Sequence, residues 1–146
     1  SKLRVAVIGG GACGLVAARV LDRSGISVTV FERDGHCGGI WKYNKHGAYG
    51  SRPMYRGLRT NLPVTVMAYR EYPWPETEDS TSSFATHGQV QQYLNDYARR
   101  FDLHRLFKYN CSVQRFTIKH AEMFSLAFSA EIMPKIELGW TESADN

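Results

Sequence analysis

The chain opens on a β-rich run, Val5, Val7 and Ile8, that ends in glycines. This pattern predicts a short buried strand over Arg4–Gly10. Leu15, Ala18 and Leu21 follow at spacings that bring them near one helical face, so Cys13–Ser24 is read as a helix with Gly25 as its C-terminal stop. Over Ser27–Arg33, Val28, Val30 and Glu32 alternate with Thr29, Phe31 and Arg33, the period of a second strand. Strand, helix and strand in about thirty residues make a βαβ unit, whose strands lie parallel with a right-handed crossover.

From 34 to 83 the periodicity disappears. Glycines, prolines and seven of the eighteen aromatics (Trp41, Tyr43, Tyr49, Tyr55, Tyr69, Tyr72 and Trp74) fill this stretch. A structureless segment of about fifty residues belongs in a compact domain only if it packs on something. A short helix around Thr65–Tyr69 and a bound cofactor are the candidates for what orders it. Periodicity returns at Thr86, where Thr86-His87-Gly88-Gln89 fits a capping box. Val90, Tyr93, Leu94, Tyr97, Ala98 and Phe101 then form an apolar stripe, so 86–101 reads as a core-packing helix whose tyrosines pack rather than react. The remainder reads as strands: Ser112–Lys119 with Val113, Phe116 and Ile118, then alternating runs over 124–130 and 136–140. Two alternating runs with a short connection predict an antiparallel hairpin or meander appended to the parallel sheet.

Composition adds limits. With 146 residues, 43% hydrophobic and 22% charged, the chain suits one domain with a single core. Three cysteines, Cys13, Cys37 and Cys111, give no disulfide framework or zinc spacing and point to a reducing, cytoplasmic setting. His36, His46, His87, His104 and His120 show no metal-ligand spacing, and no apolar run approaches the ~18 residues of a membrane span. The net charge of +4 is unevenly placed: no acid occurs between Asp34 and Glu71, where Lys42, Lys45, Arg52, Arg56, Arg59 and Arg70 all lie. Such a stretch is either a solvated loop face or an electropositive surface for an anion such as a dinucleotide. No nucleic-acid-binding motif accompanies it, so nucleic acid is not expected as a partner.

The strongest chemical signal is Gly9-Gly10-Gly11-Ala12-Cys13-Gly14, a G-x-G-x-x-G that closes a predicted strand and opens a predicted helix. In that place Gly9 allows the tight turn, Gly11 lets a pyrophosphate approach the backbone, and Gly14 lets helix and strand lie close. Free N–H groups at the helix start, around Ala12 and Cys13, then donate to phosphate. Glu32 ends the second strand, 18 residues after Gly14, where a carboxylate accepts from ribose hydroxyls and repels a 2′-phosphate. The ligand is therefore NAD or the ADP half of FAD. Arg33 sits beside it.

Beyond Glu32 the chain reads Gly38-Gly39-Ile40-Trp41, then Met54-Tyr55, Leu58-Arg59-Thr60-Asn61-Leu62-Pro63 and Tyr72-Pro73-Trp74-Pro75, followed by the segment Val90–Leu103. In this order the motifs resemble the N-terminal part of a flavin-containing monooxygenase, over about residues 4–118. The resemblance implies an α/β, Rossmann-like FAD-binding domain with a parallel sheet and an antiparallel β-meander, here incomplete. It implies FAD held by Gly9, Gly11 and Gly14 at the pyrophosphate and by Glu32 at the ribose. Gly39, Ile40 and Trp41 would run beside the flavin-proximal part. Asn61 matches the family's catalytic asparagine beside the isoalloxazine, with Leu58, Thr60 and Leu62 shaping that wall. Also implied are NADPH as cosubstrate, O2, a flavin C4a-hydroperoxide, and a small soft nitrogen or sulfur nucleophile as substrate.

The same resemblance implies a second nucleotide fold for NADPH, with its own glycine-rich turn, and after Gly88 the only glycine is Gly139. Residues 1–146 are accordingly expected to be the FAD-binding segment, with the NADPH-binding domain absent from them and any membrane association lying in an absent C-terminus. Two readings stay open: part of a monooxygenase, or a FAD-binding module without turnover of its own. A disulfide reductase is disfavoured because no Cys-x4-Cys pair occurs. A homo-oligomer is compatible with either.

Overall fold

The two predicted strands and their helix form as β1 (Arg4–Ile8), α1 (Ala12–Arg23) and β2 (Ser27–Phe31), with β1 and β2 parallel in the register Arg4↔Ser27 to Ile8↔Phe31. The computed structural model describes residues 3–43, 54–75, 84–119 and 135–142. α1 turns its Leu15 and Ala18 into the interior. It ends where Gly25, at φ 75°, gives its N–H to Asp22 O while Ile26 N–H reaches Leu21 O. That paired arrangement is a Schellman stop, which requires the left-handed backbone that glycine adopts without strain.

A third parallel strand, β3 (Phe107–Lys108), pairs with β2 through Val30↔Phe107 and gives the sheet order β1-β2-β3. Two residues are too few to show a period, so β3 is invisible in the hydrophobic pattern. The order also corrects the reading of the first strand as buried. β2 is central, and its Val28, Val30 and Phe31 are buried. β1 has a strand neighbour on one edge only among the described residues, and its two faces differ: Val5 and Val7 are half-buried, while Arg4, Ala6 and Ile8 are exposed, Ile8 at 56%.

α3 (His87–Arg100) carries the largest share of the core, burying Val90, Tyr93, Leu94, Tyr97 and Ala98 against Leu15 and Leu103. Its start is the predicted capping box: Thr86 Oγ1 accepts from Gln89 N–H and Thr86 N–H donates to Gln89 Oε1. This helix holds residues 69–74 of the aperiodic stretch. Trp74 stacks on Tyr93 with ring centroids 4.5 Å apart, and Tyr69 meets Tyr97 edge-on at the same separation. Tyr93 O–H donates to Tyr72 O and accepts from Tyr69 N–H, while Tyr97 O–H donates to Glu71 Oε1. Each buried hydroxyl thus finds a partner, as burial demands, and burial pushes the Tyr69 and Tyr97 phenols well above their ordinary range. Among the described residues of the aperiodic stretch, aromatic packing on α3 orders 69–74. The short helix expected at Thr65–Tyr69 is α2 (Val64–Met67).

β4 (Cys111–Lys119) and β5 (Lys135–Glu142) pair antiparallel, with a register shift between Val113 and Arg115. This is the antiparallel pairing expected of a hairpin or meander; among the described residues it forms a sheet of its own, β4-β5, beside the parallel β1-β2-β3. The link between the sheets is a backbone bond, Cys111 N–H to Glu32 O at 2.9 Å. The alternating run over 124–130 lies outside the described residues, as do Lys45, Arg52, His46 and His120. Among the described residues no helix is long and apolar enough to cross a membrane.

Replacing Thr86 by alanine removes both halves of the capping box and should lower stability by about 1 kcal/mol. Urea unfolding checks this: a midpoint equal to that of the unsubstituted chain would show that α3 does not depend on its cap.

Candidate nucleotide site

The turn after β1 is built by backbone approach. Gly9, at φ 93°, donates its N–H to Phe31 O at 2.8 Å and so extends the parallel ladder by one step. A Cβ placed on Gly14 would run into the carbonyl oxygen of Gly9, so the first turn of α1 lies against the turn only because Gly14 has no side chain. Gly11 caps α1 without a side-chain hydrogen bond, and the first intrahelical bond is Leu15 N–H to Gly11 O. The N–H groups of Ala12, Cys13 and Gly14 therefore have no partner within the helix and form the positive end of its dipole.

Glu32 is 4% exposed, and its carboxylate joins two segments. Oε2 accepts from Gly10 N–H at 2.6 Å and Oε1 from Asp34 N–H at 2.9 Å. Each carboxylate oxygen thus meets one main-chain donor and has a second lone pair. A second glycine turn packs on the first. Gly38, at φ 106°, donates its N–H to Gly10 O at 2.9 Å, and a Cβ on Gly39 would lie 3.1 Å from Gly11 Cα. Cys37, just before it, is buried, and desolvation raises its thiol pKa.

Between these pieces lies a cavity of about 360 Å³, within the ~300–1,000 Å³ range of small-ligand sites. Six predicted residues line it: Gly9, Gly11, Glu32, Arg33, Gly39 and Ile40. Asp34 adds a second carboxylate, and Ile8 and Phe31 give an apolar wall from the ends of β1 and β2. The start of β4, at Cys111, Ser112 and Val113, closes the cavity. That last wall has no signature in the sequence. The alternation in β4 is legible, but the position of its first residues depends on the bond from Cys111 to Glu32.

The remaining predicted residues lie elsewhere. Ala12, Cys13 and Gly14 form the helix start, with Cys13 exposed, and Trp41 packs on the core cluster. Thr60 is buried: its hydroxyl donates to Leu62 O and accepts from Ala85 N–H, and its own N–H donates to Ala85 O. Asn61 and Leu62 are thereby presented to solvent, and neither lines the cavity. None of the described basic residues between 35 and 70 (Lys42, Arg56, Arg59, Arg70) lines it either; Arg33 is its cation. Among the described residues no group of three His, Cys, Asp or Glu side chains is placed to hold a metal.

The sequence profile of the family described as flavin-binding monooxygenase-like matches residues 2–137. The chain belongs to this family. Among its members, flavin-containing monooxygenase FMO GS-OX-like 4 of Arabidopsis thaliana is 40% identical over 125 residues, covering 75% of this chain and 28% of that protein. Putative flavin-containing monooxygenase FMO GS-OX-like 11 of the same plant is 39% identical over 125 residues, and the match covers 74% of it. The solved structure of S-allyl-L-cysteine S-oxygenase from Allium sativum superposes with a TM-score of 0.72 at 36% identity, over 82% of this chain and 30% of the other. A steroid monooxygenase bound to NADP gives a TM-score of 0.64 at 25% identity, over 82% of this chain and 21% of that one. The family's Rossmann-like fold is the one described above. The chain thus spans under a third of the length of GS-OX-like 4 and of both solved relatives.

Because the Gly14 position is filled by Gly9 O, Gly14→Ala should cost about 1–3 kcal/mol, the range for overpacking. Thermal unfolding measures it, and an unshifted transition would mean that the turn can open without loss.

Proposed function

We propose that this chain is the FAD-binding segment of a flavin-dependent monooxygenase that uses NADPH and O2 to oxygenate a soft sulfur or nitrogen nucleophile. The observation that carries the reading is the cavity between the two glycine turns, with the buried Glu32 carboxylate on its wall. Its parts fit the adenosine and pyrophosphate of FAD: a surface free of side chains at Gly9, Gly11 and Gly39, a helix N-terminus, and spare acceptor positions on Glu32.

Bound FAD supplies electron transfer and oxygen activation, which protein side chains lack. The N–H groups of Ala12, Cys13 and Gly14 hold the pyrophosphate, helped by the dipole of α1. Glu32 accepts the ribose hydroxyls, and its charge disfavours a 2′-phosphate, so NADPH belongs to a second nucleotide fold outside residues 1–146. Arg33, beside Glu32 on the cavity wall, meets the ligand's anionic part. Gly39 and Ile40 would carry the wall from pyrophosphate towards flavin, with Trp41 packed behind them on the core cluster. Thr60, fixed to Ala85, sets the solvent-facing loop from which Asn61 and Leu62 would flank the isoalloxazine, Asn61 as a hydrogen-bond partner and the loop as a barrier to water. Sulfur is the favoured acceptor atom, because a relative at 36% identity is an S-oxygenase.

The purified chain should bind FAD, followed by quenching of flavin fluorescence, yet leave NADPH unoxidised under air. Glu32→Arg should raise the FAD Kd by about tenfold or more, equivalent to about 1.4 kcal/mol, with circular dichroism confirming the fold. No flavin binding by the unsubstituted chain would reject the FAD assignment. NADPH oxidation by the chain alone would place the second nucleotide site within it.

A further inference from the structure

Gln91 lies on α3, outside the cavity lining, and is 8% exposed. A glutamine so deeply buried in a helix face otherwise made of Val90, Tyr93, Leu94, Tyr97 and Ala98 calls for a polar reason. Its Nε2 donates to Cys37 O at 2.8 Å, while Oε1 is buried with no hydrogen-bond partner among the described residues. One turn further along α3, Asn95 Oδ1 accepts from the Cys37 thiol at 3.2 Å. Two residues at i and i+4, which share a helix face, therefore grip Cys37 by its carbonyl and its thiol.

The residue held is the one before Gly38. A Cβ on Gly38 would run into the Gln91 amide, so the turn rests directly on that side chain. From Gly38 the contact continues through its N–H to Gly10 O, and through Gly39 to Gly11, where a Cβ on Gly39 would stand only 3.1 Å from Gly11 Cα. A short, contiguous set of contacts thus runs from the core face of α3 to the glycine turn at the helix N-terminus.

From this geometry we infer that Gln91 is a positioning residue for the nucleotide cradle. It holds the Gly38–Gly39 turn against Gly10–Gly11 and so sets the width of the space between the two glycine turns. The inference rests on the FAD reading for its ligand, but the clamp itself is a property of the ligand-free chain. Gly38 and Gly39 both occupy left-handed backbone, at φ 106° and 58°. Such a turn has freedom to move once its anchor is removed, because glycine populates other conformations equally well.

The test uses Gln91→Met, of similar length without the donor, and Gln91→Leu as a second variant in case the first does not fold. Amide hydrogen exchange on the ligand-free chain reads the clamp, and FAD titration reads its consequence. Exchange at Gly38 N–H should become at least about tenfold faster, a loss of about 1.4 kcal/mol in local opening free energy, while amides in β2 keep their protection. The FAD Kd should rise by a similar factor with the melting temperature unmoved or nearly so. Unchanged protection at Gly38 in a folded variant would overturn the clamp whether or not flavin binds. Faster exchange with an unchanged Kd would overturn the role in the cradle, and an unsubstituted chain that binds no FAD while Gly38 still loosens in the variant would reject the FAD reading and leave the clamp supported.

Discussion

The fold of the site depends on one buried carboxylate. Glu32 takes an N–H from Gly10 on one oxygen and from Asp34 on the other, while its backbone carbonyl accepts from Cys111. The glycine turn after β1, the segment leaving β2 and the first residue of β4 therefore meet at a single residue. A carboxylate buried without such donors would cost several kcal/mol, so the two N–H groups also account for its position there. Glu32 is also one of the residues that line the cavity. The same arrangement that satisfies the charge fixes it at the cavity wall.

Around that point the cradle is made of absences. Gly14 lacks the atom that would strike Gly9 O, Gly10 the one that would strike the Phe107 ring, and Gly39 the one that would crowd Gly11. Such close backbone approach gives a ligand access to main-chain N–H groups, and it needs rigid support behind it. α3 supplies this support. Its tyrosines order the segment from Tyr69 to Trp74, and Tyr69 O–H returns to Ala12 O at 2.8 Å, at the start of α1. Gln91 and Asn95 hold Cys37 from the same helix. The aromatic core and the glycine turns are thus joined from two directions, with the aperiodic segments serving as connections between them.

The βαβ unit is legible in the sequence because its signals are local: strand period, helix spacing, and glycines at the turn. The capping box at Thr86 is legible for the same reason, being closed within four residues. β3 is not, since two residues carry no period and pair only because α3 and the turn after it return the chain beside β2. The exposure of β1 is equally hidden, because a β-branched run looks the same at the centre and at the edge of a sheet. Of the predicted site residues, those of the glycine motif, Glu32 and its neighbour Arg33, and Gly39 with Ile40 converge on one cavity or on the helix start beside it. Thr60, Asn61 and Leu62 share a loop away from it.

By itself the sequence determined the chemistry available at the turn: residues without side chains at three close approaches, and an acid at the end of the second strand. Those follow from spacing along the chain, because adjacent elements of a βαβ unit have only one compact way to meet. The tertiary structure decided which residues complete the cavity and which support it. Ile8 and Phe31 form its apolar wall, Val113 closes it, and Gln91 stands behind the second glycine turn. None of these carries a local signal, for their roles come from contacts between segments tens of residues apart, set by how α3 packs and where β4 begins.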